Sequence, residues 1–524
     1  MPSRAHQQYR TSILLWFMEN GRDPKVAGEL ELFEPAILVL WNLDLEPARP
    51  ILQACYASSP RGAKPWDPVV LLRCLLLSLL VGQPRINKWV PQSRASTLLP
   101  LLAGIDVNDR RAPGVGTYYD FFNRLHDGPI RRSCDHQERP SVSERRRAQT
   151  PRVREEKPDK TLDDDTRNSV TGRLVEKLAA TKEQGNPNNL QDRLGAILLE
   201  VGVIPSAHLG LLGDLDALVI GGDGSSLRTG ASGQGQKTCD CDKDTRCDCP
   251  KLFSDPDAEW GWDSYHKSFY FGHQFYELST SSGDHDLPLA LRLDPANVTD
   301  FTASLECLDW LRKATRSRQL GWDIDIAIFD KGHDARPIYE WLIDSDMKPV
   351  IPLSKDAPAH HPSRIDIALS KRGVPMCEGN VEMAPWGSAG KRRKVFACPV
   401  KARWIDQCPQ APQDDPQWVC RPDQKVGPTV SVAVNDNPRL FPPIARNSHR
   451  YTELAKLRSG TERSNSVKKE TFALEAARHR RSSFWLIRLH LIALLQHARA
   501  WVASVDSSEL LDNLLTGRVV AAIQ

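Results

Sequence analysis

No apolar run in the 524-residue sequence is long enough to cross a bilayer. The longest, from Val69 to Val81, is broken by Arg73 and falls short of the ~20 residues a spanning helix needs. It reads as a buried helix. The chain opens Met-Pro-Ser-Arg-Ala-His-Gln-Gln, which lacks the apolar core of a secretory signal. A cytoplasmic protein with no membrane partner is therefore expected. A disulfide framework is not expected either, because the twelve cysteines are scattered through a long chain without an export signal. They read as thiols or metal ligands. The chain also lacks a strong overall charge, at +3.

That small net charge hides an uneven distribution. Residues 446–499 carry twelve Lys/Arg against four Asp/Glu, and residues 128–160 carry ten against six. Local basic surface suits a phosphate backbone, because neutralising phosphates releases counterions.

At this length about three domains are expected. Residues 1–64 form an amino-terminal segment without readable chemistry. Residues 65–127 read as a helical domain able to bind DNA, with a helix over Pro68 to Leu80 and an aromatic helix capped by Thr117. Residues 128–205 hold a polar, arginine-rich linker and then helices near 171–183 and 190–201. Residues 206–354 change rhythm. Ala217-Leu-Val-Ile-Gly-Gly, Phe269 to Leu278 and Leu287 to Leu293 read as strands, and Ile324, Ile326 and Ile328 recur at period two. Helices near 299–314 and 337–345 separate the last strands, which predicts an α/β protein with a mixed sheet. Residues 355–450 form a β-rich, cysteine-containing insertion, 451–505 the final helices of the core, and 506–524 a tail.

The chemistry concentrates at three places. Asp223 follows its apolar run between Gly222 and Gly224, and Asp330 ends the isoleucine strand. If the two strands are neighbours, both carboxylates meet at one sheet edge, where open α/β sheets place their sites. Asp334 is the alternative to Asp330, but its place past the strand suits a helix cap. Far downstream, Arg458, Glu462, Asn465 and Lys469 fall on one face of a continuous helix. Three clustered carboxylates need cations, and two Mg²⁺ or Mn²⁺ ions about 3.5–4 Å apart would promote in-line phosphoryl displacement.

Gly222-Asp223-Gly224-Ser-Ser, Phe329-Asp330-Lys-Gly-His-Asp334 and Arg458-x3-Glu462-x6-Lys469 resemble the three catalytic motifs of DDE transposases encoded by bacterial insertion sequences. Gly116-Thr117-Tyr-Tyr-Asp-Phe-Phe-Asn-Arg-Leu125 is similar to the end of the amino-terminal domain common in that family. The resemblance covers roughly residues 65 to 500. It implies a ribonuclease-H-like core preceded by an all-helical domain, with Asp223, Asp330 and Glu462 as catalytic metal ligands for Mg²⁺ or Mn²⁺. It also implies DNA partners, both terminal repeats and target, and a dimer on DNA. Arg458, Arg463, Asn465 and Lys469 are then expected to contact DNA. The family often has Tyr three residues before the Arg; here that position is Ala455, and Tyr451 lies one helical turn earlier.

Two cysteine groups are candidate zinc ligands. Cys239, Cys241, Cys247 and Cys249 share one loop, while Cys377, Cys398, Cys408 and Cys420 are spread through the insertion. Four thiolates suit tetrahedral Zn²⁺, and free thiols are the other reading of each group. Trp260, Trp262 and Trp386 either stack on unpaired bases or pack the insertion on the core, and packing is favoured. His273 and His333 are expected to be structural or to support a ligand. Three other functions stay open: a DNA-binding protein without catalysis, a metal-dependent nuclease without strand transfer, and a zinc-organised interaction protein.

Overall fold

The computed structural model describes residues 2–20, 23–56, 64–106, 112–127, 169–181, 189–237, 239–240, 251–264, 266–280, 283–389, 393–415 and 417–504. Most of the arginine-rich linker lies outside them.

The amino-terminal part is helical, from α1 (Arg4–Asn20), α2 (Pro24–Asn42) and α3 (Arg49–Gln53) to α4 (Pro68–Leu80), α5 (Ile86–Ala95), α6 (Leu98–Leu102) and α7 (Val115–Asp127). Helix α4 starts as expected: Asp67 accepts hydrogen bonds from Val69 N at 2.8 Å and Val70 N at 3.3 Å, and Pro68 takes the first position. It is buried on nearly every side. Arg73 survives there because its guanidinium lies 4.0 Å from the Tyr9 ring centre and donates to Ala103 O at 3.2 Å. The amino-terminal segment, in which the sequence offered no readable chemistry, thus contributes helices α1, α2 and α3. Helix α7 starts two residues before Thr117, which lies in its first turn and is not its cap.

Helices α8 (Val170–Ala180) and α9 (Leu190–Leu198) follow, and a π turn over Leu199–Val203 joins α9 to α10 (Ile204–His208). The sheet then begins with β1 (Leu218–Arg228). A short pair, β2 (Gln236–Lys237) and β3 (Lys251–Leu252), precedes β4 (Glu259–Asp263), β5 (Ser268–Thr280) and β6 (Leu287–Pro295). Helix α11 (Asp300–Ser317) leads to β7 (Ile324–Ile328), and α12 (Arg336–Asp344) leads to β8 (Lys348–Val350). The strand order is β4-β5-β1-β7-β8, with β6 also paired to β5. Pairing is antiparallel among β1, β4, β5 and β6 and parallel along β1, β7 and β8. The helical crossovers allow the parallel steps. The predicted mixed α/β sheet is present, with the isoleucines of β7 in its core.

The insertion holds β9 (His360–His361) paired with β10 (Arg364–Ala368), and a three-stranded sheet of β11 (Ala384–Ser388), β12 (Arg393–Ala397) and β13 (Thr429–Ala433). It has its own apolar cluster, which includes Ile367, Met383, Phe396, Val432 and Phe441. Helices α13 (His449–Leu457), α14 (Ser459–Ser466) and α15 (Ser482–Ser504) return the chain to the core. Helix α15 packs on β6 and also on α2, α4 and α7, so one apolar cluster runs from Tyr9 to Trp501. Among the described residues, no helix is long and apolar enough to cross a membrane.

Candidate active site

Strand β1 does not stop at Asp223, as expected from the sequence, but runs on to Arg228 against β5. Only its parallel ladder ends early, with Gly221 opposite Ile328. Asp223 lies two residues past that rung on β1, and Asp330 two residues past it on the β7 side. Side chains alternate along a strand. A side-chain carbon on Gly221 would meet Thr461 of α14, and one on Gly222 would meet Tyr276 and Phe329 on the opposite side. Asp223 thus shares the Gly221 face, toward α14. Thr461 fixes that helix by a 2.8 Å hydroxyl contact with Ser279 of β5, and Glu462 follows it directly.

Arg458 links the acids. Its guanidinium lies 2.6 Å from a Glu462 oxygen and 4.0 Å from an Asp223 oxygen. Asp330 accepts from Gly332 N at 3.1 Å and pairs with His333 Nδ1 at 2.6 Å. The other nitrogen of His333 meets Ser304 Oγ at 2.8 Å, and its ring stacks on Phe329. Such a second contact fixes ring orientation and aims the carboxylate.

The acids titrate differently for identifiable reasons. Burial pushes Asp223 up to about 7; Arg458 opposes this, while Glu462, Asp300 and Asp330 reinforce it. Burial would also raise Asp330, but the hydrogen bond and charge of His333, the Gly332 N–H and Arg458 outweigh it and hold the carboxyl below its usual range. One partly protonated and one firmly ionised carboxylate side by side are what a self-repelling acidic cluster produces.

Asp300 is the functional candidate missed by sequence reasoning. It was legible only as a possible cap of α11, yet its carboxylate lies against Gly224, where any side chain would collide with it. Burial raises its pKa, and the neighbouring Asp330 adds to the rise. Beneath the cluster the Tyr276 hydroxyl is buried without a hydrogen-bond partner. Nothing in the spacing of residues 223, 276 and 300 signals this meeting; only the strand pairing creates it.

The expected cationic face of the last motif is corrected. After Ser466 the helix widens into a π turn over Val467–Thr471, so a residue seven positions on no longer returns to the face of Glu462. Asn465 is buried inside the protein. Lys469 donates to Ser226 O at 3.2 Å and pairs with Glu475 at 3.1 Å. Lys468, beside it, is wholly buried against Glu277. Arg463 grips Asp286 with two contacts, at 2.7 and 2.9 Å. Arg458 is the member of that set that reaches the acids.

Other expectations resolve as follows. Asp334 is engaged elsewhere, held by Arg439 at 2.7 and 3.0 Å and by Ser354 N at 2.7 Å. Tyr451 is buried among Ile326, Ile328, Val350 and Ile444, so it packs α13 on the sheet. His273 pairs with Asp255 at 3.1 Å in the interior. Trp260, Trp262 and Trp386 are about half exposed, with Trp260 packed at 5.6 Å from the Phe271 ring and Trp262 at 4.9 Å from that of Phe269.

Cys241, Cys247 and Cys249 lie outside the described residues, leaving Cys239 alone of its group. Cys377, Cys398, Cys408 and Cys420 come near one another on tied turns. Gln410 donates to Glu378 O at 2.8 Å, and Lys401 donates to Arg421 O at 3.0 Å. As the side chains stand, no three His, Cys, Asp or Glu groups among the described residues converge tightly enough to hold an ion. This applies to the cysteines and to the acids alike. For the acids, the donor set is all carboxylate oxygen, the type that hard divalent cations select. The residues fit such ions by chemistry, with Arg458 supplying positive charge between them.

The candidate site is a carboxylate-lined edge of a mixed sheet with Arg458 between Asp223 and Glu462. Residues 223–496 match the family model described as Transposase DDE domain, and the chain belongs to that family. The match begins at Asp223 itself and takes in Asp330 and Glu462. No curated protein and no solved structure matches the chain. The family supports a transposase-type enzyme, implies DNA as a partner and generally uses divalent metal ions.

Proposed function

We propose that the protein is the transposase of an insertion sequence, which cuts transposon ends and joins the freed 3′-hydroxyl to target DNA. The observation that supports this reading is that Arg458 lies 2.6 Å from Glu462 and 4.0 Å from Asp223, with Asp330 close enough to act on Asp223 electrostatically, although the three acids lie 107 and 132 residues apart along the chain. The sheet, antiparallel among β1, β4, β5 and β6 and extended by the parallel β7 and β8 reached through helices, supports a ribonuclease-H-like core.

Asp223, Asp330 and Glu462 would hold the metal ions. When bound, two Mg²⁺ or Mn²⁺ ions there activate the attacking water or 3′-hydroxyl and stabilise the leaving oxygen. His333 keeps the Asp330 carboxylate aimed and ionised. Arg458 is placed to donate to a non-bridging phosphate oxygen as DNA approaches. Burial raises the pKa of Asp223, and Glu462, Asp300 and Asp330 add to the rise against Arg458, which together would set the pH at which the site becomes competent. The amino-terminal helices and the basic linker would hold the terminal repeats, and pairing of two ends calls for a dimer on DNA.

The test is a strand-joining assay with the purified full chain, Mg²⁺, and a duplex carrying the DNA that flanks the gene. Joined products support the proposal. Cleavage without joining would make the protein a nuclease, and binding with neither would make it a DNA-binding protein.

A further inference from the structure

A cavity of about 760 Å³ lies between the amino-terminal helices and α15. Its walls come from the α4–α5 connection, α7, the segment before α15 and α15 itself. They carry Arg85, Lys88, Arg478, Arg480 and Arg488, and no Asp or Glu. Among the described residues, none of these five cations forms an ion pair with an acid.

Arg488 is the unusual member. It is 4% exposed, and of its three nitrogens only Nη2 is bonded, to Ala473 O at 2.6 Å and Phe472 O at 3.3 Å. Nε and Nη1 have no partner within the protein. A buried guanidinium without a counter-charge is costly, and such a group calls for an anion. Burial, then the nearby Arg85, lower its pKa to about 10; burial and Arg488 together lower that of His479 to about 4. Both shifts reflect burial in one acid-free, positive environment.

The remaining wall is aromatic. Tyr119, Phe122 and Phe484 form a cluster with ring centres 5.3–6.2 Å apart, and Tyr119 is exposed. Cations beside exposed ring faces match the two halves of a nucleotide, phosphate and base. The volume falls in the range of small-ligand sites. Position adds a further constraint. Thr229 Oγ1 and Gly230 N both bind His479 O, at 2.9 and 3.1 Å, so the cavity is fastened to the end of the strand that carries Asp223. Six residues of strand separate Asp223 from Thr229, a span of about 20 Å. A DNA strand engaged at the acids has only to extend a few nucleotides to reach the cavity.

We propose that this cavity binds a nucleotide of the DNA substrate, its phosphate held by Arg488 and Arg480 and its base against Tyr119 and Phe484. The proposal rests on the DNA-processing reading of the acidic site, which it extends by locating a second anchoring point on the same strand. Binding there also couples the helical amino-terminal part to the catalytic sheet, since both contribute walls.

The test is fluorescence anisotropy of the full-length protein with a labelled duplex from the gene's flanking DNA, in EDTA so that no cleavage occurs. Arg488→Met, Arg480→Gln and Tyr119→Ala are compared with the unaltered protein. Each is expected to weaken binding about tenfold. The two arginine variants are also expected to flatten the dependence of affinity on salt by about one unit of slope. Arg488→Met should melt no lower than the parent, because it removes an unpaired buried charge. Tyr119→Ala alters an exposed residue and keeps the test valid if Arg488→Met misfolds. Unchanged affinity and slope in all variants would overturn the proposal. So would a cavity that binds free mononucleotide or inorganic phosphate while DNA affinity ignores the substitutions. Because cleavage is never read, failure of the catalytic reading leaves this outcome distinguishable.

Discussion

Asp223 and Asp330 each lie two residues beyond the last rung of the β1–β7 ladder, where Gly221 faces Ile328. Parallel strands bring both carboxylates out at the same end, although 107 residues separate them in sequence. The remaining features of the site follow from what surrounds that pair.

The raised Asp223 makes stability depend on pH. In the folded chain it titrates near 7, against an ordinary value of 3.8. Between those values the folded state retains a proton that the unfolded state has released, so this contribution is lost as pH rises through the window. In EDTA, thermal melts should show Asp223→Asn gaining on the parent between about pH 4 and 7, by roughly 2–4 kcal/mol at the upper end. A constant difference across that range would contradict the raised pKa of Asp223.

His333 acts through Asp330. With His333→Ala, cleavage at limiting Mg²⁺ should fall about 10–100-fold and recover largely at saturating Mg²⁺, because the carboxylate loses the contact that aims it and favours its ionised form, both of which bound cations restore. A purely structural role would instead lower activity equally at every Mg²⁺ concentration.

Asp300 and Arg458 push Asp223 in opposite directions. Asp300→Asn should move the acid limb of the Mg²⁺-dependent cleavage profile to lower pH, and Arg458→Gln should move it higher. Arg458→Gln should also reduce the salt slope of DNA binding by about one. Shifts of the same sign in both variants would contradict the electrostatic arrangement.

Much of this architecture was legible in the residues. The isoleucine alternation marked β7, the apolar run from Pro68 to Leu80 marked α4, and the three motifs singled out Asp223, Asp330 and Glu462. Helix α1 was hidden because its buried face is His6, Tyr9, Ile13 and Phe17, in which two members read as polar. Asp300 was hidden because its nearness to Asp223 exists only after β1, β5 and α11 assemble. Lys469 was placed by helical periodicity, which assumes a uniform turn that the π turn from Val467 alters, whereas Asn465, ahead of that turn, is buried by the surrounding fold. Arg488 looked like one basic residue among many until its surroundings showed no acid.

The most direct test of the catalytic assignment is cleavage of gene-flanking DNA by Glu462→Ala in Mg²⁺, with binding to the same DNA measured alongside. Loss of cleavage with binding largely retained is the predicted result. Cleavage at the parental rate would show that Glu462 does not serve the chemistry, and would contradict the account.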